Sequence, residues 1–184
     1  MAPNSLSAGR MHQHVPLDPD SLYVCTVQLA TGAFHWAIII TDANSRAVRH
    51  HWYQVSGRPY AETYGSQTVT PATRTGNSAV LGYYKLEGYV PCPDFIDICR
   101  SVFTSYATVD ENRARNMTCR TWILQVLMGL YDKGSFPGRK ENRTEFISLV
   151  ETKIKTMSTQ ADNNFLTLFY QSLVHQYHPP VLSL

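Results

Sequence analysis

Hydrophobic positions fall into two regimes along this chain. Between residues 22 and 86 they come as short runs rich in β-branched and aromatic side chains, and beyond residue 94 they recur at helical spacing. Residues 22–29 predict a first strand. Thr31-Gly32 makes a turn, and residues 34–41 (FHWAIIIT) form the clearest strand, apolar enough for burial. Turn chemistry at Asp42-Ala43-Asn44-Ser45 returns the chain as a hairpin partner over 47–55. The polar stretch 56–78 predicts a long loop or a short edge strand near 67–69, and 79–86 predicts another strand.

After Pro91 and Pro93, the spacing of Phe95, Ile96, Cys99, Val102, Phe103 and Tyr106 predicts a helix, with Asp94 placed to favour its dipole. A polar loop over 108–116 leads to a second helix over 119–131, with Trp122, Ile123, Val126, Leu127 and Leu130 on one face. Two further helices are expected, over 144–156 and 163–176. The aromatic stripe of the last (Phe165, Leu166, Leu168, Phe169, Leu173) is expected to pack on the sheet or on a second subunit of a homodimer. Strands first and helices after predict an α+β domain, an antiparallel sheet with helices packed on it. One domain over 21–178 is expected, between a flexible arm (1–20) and an extended tail (179–184).

At 184 residues the chain can bury a core without staples. Its net charge of +2 and lack of a Lys/Arg block argue against nucleic acid. No signal-peptide or membrane-spanning run is visible, so a soluble, cytoplasmic protein without stable membrane insertion is expected. The four cysteines form no CxxC pair and read as reduced thiols. His12/His14 and His175/His178 lack a third ligand at metal spacing, and no phosphate-loop motif occurs, so neither metal nor cofactor is expected.

Cys119 begins a predicted helix behind Thr118 and Asn116, both N-cap types. There the free amides and the dipole favour a thiolate and can hold an oxyanion, whereas elsewhere most intracellular cysteines are small buried hydrophobes. A thiol nucleophile needs a base, and His35 in the strongest strand is the candidate. Across the hairpin, one of His50 and His51 should face it and fix its tautomer. His50, in phase with Val48 and Trp52, is the first choice, with His51 and Gln54 behind it. Trp36, His51, Trp52, Gln54 and Trp122 are the expected substrate contacts.

Phe34-His35-Trp36-Ala37-Ile38 in one strand, His50 in the next, Pro91-Cys92-Pro93 before a helix and Asn116-Met117-Thr118-Cys119 opening another resemble the lecithin:retinol acyltransferase-like proteins. Those belong to the permuted, NlpC-type branch of the papain-like thiol enzymes, and the resemblance spans residues 23–130. It implies a circularly permuted papain-like fold with Cys119 as nucleophile, His35 as base and His50 as orienting residue. Thr118 stands where that family carries Asn, and no membrane-spanning tail follows, so it implies thiol chemistry more than a phospholipid substrate. A Cys-Arg-x-Trp helix with a His-Trp strand is also similar to small fungal proteins, which implies specialised metabolism.

The expected activity is a thiol-dependent hydrolase or acyltransferase, acting on an ester, amide or thioester through a Cys119 acyl-enzyme. The alternatives are a cyclase or isomerase that uses the pocket for acid–base work or templating on a small molecule, and a non-catalytic binding module.

Overall fold

The computed structural model describes residues 13–30, 32–55, 61–103 and 108–184. The parts of the expected arm, turns and loops at 1–12, 31, 56–60 and 104–107, Tyr106 of the first predicted helix included, lie outside them. The chain is α+β. Strands β1 (Leu22–Ala30), β2 (Ala33–Thr41), β3 (Ala47–Gln54), β4 (Glu62–Val69), β5 (Arg74–Thr75) and β6 (Ser78–Lys85) form a sheet in the order β4-β3-β2-β1-β6-β5. Helices α1 (Phe95–Ser101), α2 (Val109–Ala114), α3 (Cys119–Asp132) and α4 (Arg143–Tyr170) follow, and the tail forms β7 (Val181–Ser183).

Side chains alternate across the central strands, and each face has its own core. Val24, Trp36, Ile38, Trp52 and Tyr84 face the helices and pack on Trp122, Ile123, Val126 and Leu127 of α3 and on Phe146, Ile147, Val150 and Ile154 of α4. Tyr23, Cys25, Val27, Ile39, Ala47, Val80 and Tyr83 face the other way, where Val15 and Leu17 cover part of them. Burial on both sides explains why FHWAIIIT is apolar throughout. It also docks the end of the expected flexible arm, whose Val15 amide donates to the Pro71 carbonyl.

Four expectations are corrected. The sheet is mixed, because β7 of the extended tail runs parallel to β6 (Tyr84 opposite Leu182). The edge strand expected near 67–69 is the eight-residue β4, paired along its whole length with β3. Its sequence ETYGSQTV is polar because only one of its edges and part of one face are covered. The polar loop 108–116 contains α2, closed by a capping box between Thr108 and Glu111.

Lastly, the two C-terminal helices are one helix of 28 residues. The polar residues that interrupt its apolar period bond to the sheet instead of breaking the helix. Ser158 shares hydrogen bonds with Thr26 Oγ1 (2.8 Å) and Tyr84 OH (3.0 Å), and Asp162 accepts from Gln28 Nε2 (2.5 Å) and the Gly32 amide (3.1 Å). Phe165 packs on Ala79 and Leu81 of β6, while Phe169 and Tyr170 are exposed. No helix among the described residues is long and apolar enough to cross a membrane.

Candidate functional site

Register decides which predicted residues meet. Ile38 lies opposite His50 and Ile39 opposite Arg49. Alternation therefore puts Trp36, Ile38, His50 and Trp52 on the helix side, and His35, Ile39, Arg49 and His51 on the other. Cys119 packs into the helix-side core. Cys119 and His35 thus stand on opposite faces of the sheet, and among the described residues no hydrogen bond joins them.

His50 is not the residue that contacts His35. His51 is, with Nδ1 3.3 Å from His35 Nε2 and its ring stacked on Tyr53. Of the expected substrate contacts, Trp36, Trp52 and Trp122 are core residues, 2%, 3% and 0% exposed, and Gln54 is exposed at the end of β3.

Cys119 does open α3, whose N-cap Thr118 accepts from the Thr121 amide at 3.1 Å. The expected low thiol pKa does not follow. Burial pushes the thiol above its ordinary value, and the backbone of Trp36 and Arg120 only partly offsets that.

Near Cys119 lies a cluster with no sequence signal. The Glu62 carboxylate accepts from Arg113 Nη2 (2.6 Å) and Nη1 (3.0 Å), Asn112 Nδ2 (2.8 Å) and Trp52 Nε1 (3.3 Å). Burial alone would raise this carboxyl. The bonds from Arg113 and Asn112, with Arg113's charge, outweigh it and hold the group below its usual value. The cluster ties α2 to the outer strands β3 and β4 and completes no catalytic set with the thiol.

The helix side carries a second polar group around His50. Its Nδ1 is 2.9 Å from Tyr64 OH, Phe95 meets its ring edge-on at 4.8 Å, and Tyr64 stacks on Trp122. Cys99 also acts on the Tyr64 phenol, and the phenol on its thiol. Burial lowers His50 to about 4, so the imidazole is neutral near pH 7, and burial raises Tyr64, so its phenol stays protonated.

His50 lines an open groove of about 660 Å³ with the apolar Ile40, Val48, Tyr89, Cys92 and Phe95, while Asp42 and Arg46 add a charged portion to its wall. α1 is too short to cover this part of the sheet. The missed signal was Tyr64, in phase with His50 across β3 and β4 but set in a stretch read as loop. No protein-family model, curated protein or solved structure matches the chain. Among the described residues no three His, Cys, Asp or Glu side chains converge as a metal site.

Proposed function

We propose that the chain binds an apolar small molecule in the His50 groove and acts on it as an isomerase or cyclase. The observation that carries this reading is a buried imidazole with one nitrogen 2.9 Å from the Tyr64 hydroxyl, on the wall of a largely apolar groove. In this reading the Tyr64 hydroxyl, 2.9 Å from Nδ1, takes the donor role towards that nitrogen. The imidazole proton then sits on Nε2, which has no partner among the described residues. A neutral N–H of this kind polarises a carbonyl oxygen as charge develops on it, and so acidifies the neighbouring carbon, whose proton passes to solvent water in the open groove.

The test is deuterium exchange from solvent into the α-carbons of a panel of cyclic ketones, followed by NMR. His50→Ala is expected to lower the exchange rate by about 10²–10³-fold, the usual cost of removing one donor to a developing oxyanion. Tyr64→Phe is expected to lower it less, and Cys119→Ala to leave it within about twofold of wild type, since nothing in the groove depends on that thiol. Loss of exchange in Cys119→Ala with retention in His50→Ala would overturn the reading.

The thiol hydrolase or acyltransferase on a permuted papain-like fold is the second reading. Its support is the capped α3, which begins at Cys119 against the sheet. It requires a base other than His35 on the helix side.

Alkylation at pH 7 separates the two readings. Cys92, on the groove wall, is expected to label first and Cys119 slowly. Cys25 and Cys99, both pushed up to about 12 by burial, should label only on unfolding. Mass mapping that finds Cys119 first would favour the thiol enzyme.

A further inference from the structure

The helix-free face of the sheet holds a second, smaller cavity of about 210 Å³, bounded by β3, β4, β5, β6 and the segment 70–72. Val27, Ile39 and Val80 make part of its lining apolar, yet two arginines, Arg49 and Arg74, line it, and among the described residues no Asp or Glu does. Neither arginine takes part in any of the described ion pairs.

Arg74 Nη2 donates to the Asn77 carbonyl at 2.9 Å, but its Nε is buried and has no partner among the described residues. Among the described residues Arg49 meets a neutral group, the side-chain oxygen of Gln67 once that amide is turned towards it. Its charge reaches Cys25 and Tyr83 on the same face, which offer no formal negative charge at neutral pH. Buried polar groups in native proteins almost always have a partner, and those without one mark an absent ligand, ion or water. Two guanidinium groups in one cavity also repel until an anion bridges them.

We propose that this cavity binds a dianionic oxyanion, inorganic phosphate or a phosphomonoester, between Arg49 and Arg74. Charge selects the ligand class, because two uncompensated cations match two negative charges. Geometry agrees: each planar guanidinium can present paired N–H donors to a tetrahedral oxyanion. Thr70 and Thr75, also on the cavity wall, carry hydroxyls able to serve the remaining oxygens. The volume admits the anion and few further atoms, so a phosphomonoester must lead its organic part out through the mouth. The site lies across the sheet from the His50 groove and stands or falls independently of it.

The experiment is a phosphate titration of the full chain at constant ionic strength, read from the arginine Nε–H signals by NMR. Two arginine Nε–H signals are expected to shift together and to saturate, one of them absent in Arg74→Gln and the other in Arg49→Gln. The dissociation constant should rise at least tenfold in each variant and less in Arg74→Lys, which keeps the charge but not the fork.

In wild type, sulfate should compete and acetate or chloride should not. A glycerol phosphate arm separates the sources: tighter binding than phosphate assigns an ester ligand, and weaker binding assigns the free anion. A shift that never saturates, or equal affinity in wild type and both glutamine variants, would overturn the proposal. So would failure of sulfate to compete in wild type, a result that holds even where a variant does not fold.

Discussion

Replacing Arg113 by Met is expected to destabilise the protein by about 2–3 kcal/mol, below the roughly 3–5 kcal/mol typical of breaking a fully buried ion pair because the arginine is partly solvated. The asymmetry of burial sets the sign. The Glu62 side chain is 4% exposed and that of Arg113 44%, so the arginine can return to water but the carboxylate cannot. Without Arg113, Glu62 keeps donors only from Asn112 and Trp52, too few for a charged group in that setting. Glu62→Gln should cost less, about 1–2 kcal/mol, because it leaves a neutral amide among donors and a solvated arginine.

The double variant Glu62→Leu/Arg113→Met should recover much of the loss. Urea unfolding of the three variants at pH 7 measures this. The Arg113→Met deficit should also shrink as pH falls towards the carboxylate range. Burial then raises the unpartnered Glu62 above its unfolded value, so protonation favours the folded state. A deficit below about 1 kcal/mol at pH 7 would mean that water replaces the arginine.

The strand β2 and the helix α3 were legible because each carries a strong period and clear punctuation, Gly32 before one and Thr118 before the other. What could not be read was the phase of β2 relative to the helices. His35 and Trp36 differ by one residue and therefore by a face, but β2 is apolar on both sides, so its alternation does not say which side receives α3.

The pairing of His50 with the apolar phase of β3 was read correctly. The partner it finds there, Tyr64, lay in a strand whose polarity hid it. α2 was invisible because a six-residue helix with one buried side chain, Asn112, has no apolar stripe. The interior of α4 read as a break because Ser158 and Asp162 look like loop residues until the sheet they bond to is known. In each case the missing information was tertiary: which polar residue would find a buried partner.

Acid should destabilise this protein well above the pH at which carboxylates protonate. His35, His50 and His51 are each lowered to about 4, burial being the first cause in all three, with the Arg49 charge adding to it for His35 and His51. Their unfolded values lie near 6.5. Below 6.5 the unfolded chain therefore takes up protons that the folded chain refuses, and stability falls as pH drops. The contribution is complete above pH 6.5 and is lost between 6.5 and 4.

For His50, the most buried of the three, the loss is about 2 kcal/mol at pH 5 and about 3 kcal/mol at pH 4. His35 and His51 add less, because they are only partly buried and share one hydrogen bond, so the first proton on that pair opposes the second. Below about pH 4.5 the depressed carboxyl of Glu62 adds a loss of the same sign. Urea midpoints at pH 8, 6.5, 5.5 and 5 should show a plateau and then a steep fall. His50→Gln should reduce the slope by up to about 1.4 kcal/mol per pH unit, the contribution of one proton. Constant stability from pH 8 to 5, or assigned His35, His50 and His51 imidazole NMR signals titrating near 6.5 in the folded protein, would mean that water reaches these rings.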